Sequence, residues 1–170
     1  MEQQEMNEQS RAGFDKKYLA GVAIWEIWLA VAKAESDEKC ITECEQYIVE
    51  LKDKNSNLLK ALDAFDETGF GVTFANESST AWAVIIVDST ENAVDVAKES
   101  FRYQLYDRSG FIGHETYPSP YAAIAEAFDM GFTVPCISQL DELATTDQWK
   151  KGMVAIHAAQ QSWLSAVGAN

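Results

Sequence analysis

Basic charge is what this chain has least of. Lys and Arg number 13 against 27 Asp and Glu, a net charge of −14. Direct nucleic-acid binding calls for a basic stripe, and none is present. Anionic membranes are disfavoured for the same reason. Cysteine is scarce and odd in number: Cys40, Cys44 and Cys136. With no export signal beside them, reduced thiols are the default. Cys40 and Cys44 stand one helical turn apart, but zinc needs two further ligands at metal spacing. Neither His114 nor His157 belongs to a Cys/His cluster. No metal and no cofactor is expected. The longest apolar run, 22–32, is broken by Glu26. It falls short of the about 20 residues that span a bilayer. The opening MEQQEMNEQS is polar and acidic and lacks the basic and apolar parts of a signal peptide. A cytoplasmic protein without a membrane partner is expected.

Motifs of catalysis are lacking too. Gly69-Phe70-Gly71 has neither the spacing nor the lysine of a phosphate loop, and opens a strand rather than a helix. His114 and Glu115 are neighbours on an expected strand, so they point to opposite faces. Asp88, Asp107 and Asp129 are scattered, with no pair at acid/base spacing. No catalytic residue is assigned, and a non-enzymatic protein is expected.

What is present is apolar periodicity. After a polar lead at 1–10, a helix is predicted over 11–34. Phe14, Tyr18, Val22, Trp25, Leu29 and Ala32 form one stripe, and Ile24, Trp28 and Val31 a second beside it. A face this wide needs a large partner surface. Ser36 or Asp37 can cap the next helix, predicted over 37–65. There Ile41, Cys44, Ile48, Leu51, Asn55, Leu58, Leu62 and Phe65 recur at alternating steps of three and four. A single amide in a heptad seam selects register and oligomer state. Ile41, Ile48, Leu51, Asn55, Leu58 and Leu62 are therefore candidate residues of a homodimer. An intrachain hairpin competes for the same seam, and two hairpins could join in a four-helix bundle. On the dimer reading, Asn55→Leu should raise thermal stability.

Past Gly69, an αL cap, the pattern changes. Strands are predicted over 70–75, 81–87, 101–107 and 111–117. The second is nearly continuously apolar, as in a central strand. Asp107-Arg108-Ser109-Gly110 is a hairpin turn. A short helix is predicted up to residue 98. Ser119 caps and Pro120 opens another helix, ended by Gly131. Residues 132–144 read as irregular around Pro135, with a short turn at 139–143. A closing helix over 146–167 carries Trp149, Met153, Ile156, Gln160, Trp163 and Val167. The class is α+β: a helical pair at 1–66, then an acidic domain at 67–170 with a small antiparallel sheet, packed helices and a C-terminal helix. Residues 1–66 hold 14 acids and 8 bases, whereas 67–148 hold 13 acids and 3 bases. A partner with a basic surface would be attracted to the second part. Tyr103, Tyr106, Asp107, Glu115, Tyr117, Tyr121 and Glu126 are the candidate partner-binding residues, since aromatics beside acids suit a protein-binding patch. The same tyrosines could instead cap the core.

The stretches MNEQSRAGFDKKY and IWEIWLAVAKAES resemble the first helix of small accessory proteins of tailed phages and prophages. STENAVDVAKESFRYQLYDRSGFIGHETYPSPYAAIAEAF resembles small phage domains of helix–strand–strand–helix order. The resemblance implies a host-cell cytoplasmic setting and inhibition of a host protein, such as a nucleic-acid-handling CRISPR or restriction complex, by steric block or nucleic-acid mimicry. A small-molecule or nucleotide-binding sensor is the alternative.

Overall fold

In the computed structural model the chain divides into two compact units, Met1–Asp63 and Ala64–Asn170. The structure describes residues 11–88, 100–136 and 138–167, without the side chains of 88 and 163–167. The polar lead at 1–10 and the helix expected up to residue 98 lie outside the described residues.

The first unit is a helical pair. α1 (Leu19–Glu35) is followed by α2 (Glu38–Thr68), whose last turn belongs to the second unit. Between them Ser36 adopts the left-handed conformation, with φ 56°. The Asp37 carboxylate accepts from the Cys40 N–H at 3.0 Å, capping α2. The helices run antiparallel. Trp25 stacks on Tyr47 with centroids 4.6 Å apart, and Gly21 lies against Leu51. Ion pairs Lys33–Glu45 at 3.2 Å and Glu26–Lys52 at 3.4 Å lie between the two helices. Along α2, Cys44, Ile48, Asn55, Leu58 and Leu62 are buried, and Ile41 and Leu51 half-buried. The heptad seam is thus covered within one chain.

α1 starts at Leu19, eight residues later than its periodicity predicts. Residues 13–18 form linked turns, with Phe14 N–H donating to Arg11 O at 2.7 Å and Lys17 N–H to Phe14 O at 3.1 Å. The cause is Asn55. Its Oδ1 accepts from the Tyr18 N–H at 3.3 Å, and its Nδ2 donates to Asp15 O at 3.0 Å. One amide therefore satisfies a donor at the head of α1 and an acceptor in the turn before it. With 5% exposure, Asn55 is a buried polar group bonded to backbone through both ends of its amide.

The second unit is an antiparallel sheet with helices. Its order is β1 (Thr73–Asn76), β2 (Ala81–Asp88), β3 (Ser100–Asp107), β4 (Gly110–Tyr117), α3 (Pro120–Asp129), β5 (Phe132–Cys136), α4 (Gln139–Ala144) and α5 (Asp147–Val167). In the sheet the strands lie β4-β3-β2-β1-β5. The apolar β2 is central, as its composition predicts. β5 was expected to be irregular. It is an edge strand, and an edge tolerates Pro135 where the centre would not. Ser119 Oγ accepts from the Ala122 N–H at 3.1 Å, and Pro120 opens α3. Gly69 with φ +79° and Gly131 with φ +95° follow α2 and α3 in conformations other residues avoid.

Strand alternation sorts the sheet into two faces. Phe74, Ala83, Ile85, Phe101, Tyr103, Glu115 and Tyr117 share one by register. Trp82, Val84, Gln104, Tyr106 and His114 share the other. On the first face the Tyr103 hydroxyl donates to the sulfur of Met130, just past α3, at 3.0 Å. On the second, Tyr106 stacks on Trp149 of α5 at 5.2 Å. At Gly152, α5 comes so near the hairpin turn that an added Cβ would fall 1.5 Å from Ser109 O. The α+β class follows directly.

Candidate functional site

The β3–β4 hairpin builds the most chemically distinct surface of the second unit. Asp107 Oδ1 accepts from the Ser109 N–H at 2.6 Å and Gly110 takes φ +117°, which closes the turn. The register then sets Tyr103 opposite Glu115 and Phe101 opposite Tyr117. The Tyr117 hydroxyl donates to Glu115 Oε2 at 2.6 Å, and the Tyr103 and Tyr117 rings stack at 5.6 Å. Glu115 is exposed. Glu126 on α3 is exposed as well, and near enough for its charge to act on the Tyr103 hydroxyl.

This cluster keeps its phenols protonated. Burial, with the hydrogen bond to Glu115 behind it, pushes the Tyr117 hydroxyl well above its usual range. Burial does the same for Tyr103, aided by Glu115 and Glu126 against an opposing hydrogen bond from Tyr117. The Tyr117 phenol is the donor that holds the Glu115 carboxylate in place.

Of the seven expected partner-binding residues, four converge: Tyr103, Glu115, Tyr117 and Glu126. Tyr103 has 0% exposure, so it supports the surface from beneath rather than forming it. Tyr121 is buried too, donating to Asp66 Oδ1 at 2.9 Å and meeting Phe65 edge-on at 5.7 Å. Tyr106 points to the opposite face, where its hydroxyl donates to Gln104 Oε1 at 2.8 Å. Asp107 is engaged in the turn. The core-capping alternative therefore describes Tyr103 and Tyr121. Asp129 and Met130, both exposed, extend the surface and were not anticipated. Their spacing of three and four from Glu126 was the available signal.

Two open clefts lie elsewhere in this unit. One of about 550 Å³ is lined by Trp82, Arg108, Gln139, Glu142, Thr146 and Gln148. Trp82 Nε1 donates to Gln139 Oε1 at 3.2 Å. The other, about 410 Å³, includes Glu67, Thr68, Val84, Cys136, Ser138 and Asp141. Both fall within the size range of small-molecule pockets. Burial raises the Cys136 thiol above its usual range, and its sulfur donates to Thr73 O at 3.6 Å. In the first unit, Cys40 and Cys44 stand 3.9 Å apart as free thiols. Among the described residues no group of three or more His, Cys, Asp or Glu could hold a metal ion, and no helix is long and apolar enough to cross a membrane. His114 is exposed and sits across from Gln104, on the face opposite Glu115.

Compared with protein-family models, curated proteins and solved structures, the chain matches none.

Proposed function

We propose that the protein is a non-enzymatic, acidic interaction protein that binds the basic surface of another protein and inhibits it. The observation that carries this reading is the Glu115–Tyr117–Glu126 surface. It joins two exposed carboxylates to a protonated phenol, Tyr117, which holds one of them in place before any partner arrives. Preorganised groups lose less freedom on binding. The unit around it supplies long-range attraction, with 14 acids against 5 bases over 64–170. Its resemblance to phage accessory proteins makes a nucleic-acid-handling defence complex of the host, CRISPR or restriction, the partner class to examine first. Inhibition would follow from covering a groove meant for nucleic acid.

The test is capture of such complexes from bacterial lysate by the wild type and by a Glu115→Lys, Glu126→Lys variant, across a salt series. Partners retained near 0.1 M salt should be lost near 1 M, where the screening length shrinks from about 10 to about 3 Å. The variant should lose them at every salt concentration. Capture that is equal for the two proteins would overturn the reading.

The cleft beneath Trp82 favours a second reading, a sensor of a small polar ligand. Thermal-shift screening with nucleotides decides it. An unchanged melting temperature at saturating ligand removes it.

A further inference from the structure

α1 has more apolar surface than its own hairpin covers. Tyr18, Val22, Trp25, Leu29 and Ala32, at steps of four and three, carry the side towards α2. Ala20, Ile24, Ile27, Val31 and Ala34 repeat the same steps on the other side. That second seam, with Trp28 beside it, meets water. Ile27 is 67% exposed, and Ile24 and Trp28 are 56%. The four large side chains of this stripe present on the order of 400 Å² of apolar area, the scale of the largest patch on a typical monomer. No charged residue interrupts the seam between Ala20 and Ala34. Two seams at heptad spacing on one helix define a position inside a bundle, not at its rim.

We infer that a second copy of this chain covers the exposed seam, with the two α1 helices packed antiparallel in a two-fold four-helix bundle. Charge decides the direction. Lys16 and Lys17 precede the stripe, beside Asp15, and Glu35, Asp37 and Glu38 follow it, beside Lys33 and Lys39, whose charges are paired to Glu45 and Glu43 within the chain. A parallel pair would set lysine on lysine and carboxylate on carboxylate. An antiparallel pair centred between Ile27 and Trp28 sets Ile24 against the other copy's Val31, and brings the lysine end of each stripe to the acidic end of the other. Length agrees as well. α1 has 17 residues and so runs about 25 Å. Over that length the stripe supplies about half of the roughly 800 Å² per partner of a standard interface, the scale of a weak, reversible dimer. The contact differs from the Asn55 seam, which is already covered inside each chain.

The test is the mass of the full chain in solution, by light scattering over a concentration series into the tens of micromolar. The wild type should reach twice 18.9 kDa. Ile27→Glu, which adds a carboxylate at an exposed position, should leave helicity by circular dichroism unchanged. It should weaken the dimer on the order of 100-fold, because the two-fold axis buries two such carboxylates together. Glu35→Lys should weaken it less, and Lys17→Glu added to Glu35→Lys should restore it. A monomeric wild type overturns the inference. So does an Ile27→Glu chain that still dimerises, or a double variant weaker than Glu35→Lys alone. Binding of a monomeric wild type to phosphatidylcholine vesicles would assign the seam to a lipid surface instead, and overturn it equally.

Discussion

The two units handle polar groups in opposite ways. The helical pair places one polar residue, Asn55, in the middle of its apolar seam, and leaves a second apolar seam facing water. The α+β unit draws whole tyrosines inward, Tyr103 and Tyr121, and sends carboxylates out. The reason lies in where backbone groups are satisfied. A helix end leaves N–H groups without partners, so a buried amide is useful at the head of α1. A sheet satisfies its backbone strand to strand, so only side-chain hydroxyls need partners. In this unit the partners are Met130 for Tyr103, Glu115 for Tyr117 and, on α3 rather than in the sheet, Asp66 for Tyr121. Polar burial fixes a helix start in one unit and a surface in the other.

The largest expected effect breaks the second unit. In Gly152→Ala the new methyl collides with the backbone of Ser109. α5 and the hairpin turn must separate, at about 3 kcal/mol, read by chemical denaturation with tryptophan fluorescence. Gly152→Ser should behave no better. A variant as stable as wild type would mean that the turn yields freely.

Asn55→Leu attacks the first unit. The dimer reading of the heptads expects a gain in stability. The hydrogen bonds reverse that expectation, because leucine strands the Tyr18 N–H and the Asp15 carbonyl. The loss should be about 2 kcal/mol, seen as a lower melting temperature by far-ultraviolet circular dichroism. A gain would return Asn55 to the role of a pure specificity device. Ser119→Ala removes a single cap from α3 and should cost about 1 kcal/mol in the same denaturation.

The smallest effect is confined to alkaline pH. The Tyr117 hydroxyl is raised above its ordinary value of 10.0 in the fold. Its contribution is therefore complete below about pH 10 and fades above it, where the unfolded chain loses the proton first. Melting temperature followed from pH 8 to pH 11 should fall less steeply for Tyr117→Phe than for wild type. Equal slopes would remove Tyr117 from the surface described here.

Much of the fold was legible because its signals are local. The α2 seam, the capping at Asp37 and at Ser119-Pro120, the Asp107–Gly110 turn and the central β2 each rest on residues within a turn of one another. What escaped depends on distance. The head of α1 is set by Asn55, 37 residues away from Tyr18, so no window on α1 could show it. β5 escaped because Val134-Pro135-Cys136 reads as a break unless the strand is known to lie at an edge. The candidate site was half legible. Glu115, Tyr117 and Glu126 come to the surface, while Tyr103 and Tyr121 are inside. Which face a tyrosine takes depends on strand register and on where α3 lands, and neither is written near it.

Pro135 has one more consequence. A proline in a strand must turn its missing N–H away from the neighbour it pairs with, so β5 offers the outside an interrupted row of donors. The opposite edge, β4, carries Glu115 among exposed His114 and Thr116. Charge and proline are the two common guards against sheets joining edge to edge. This unit has one at each border, so both edges of its sheet resist extension by a further strand.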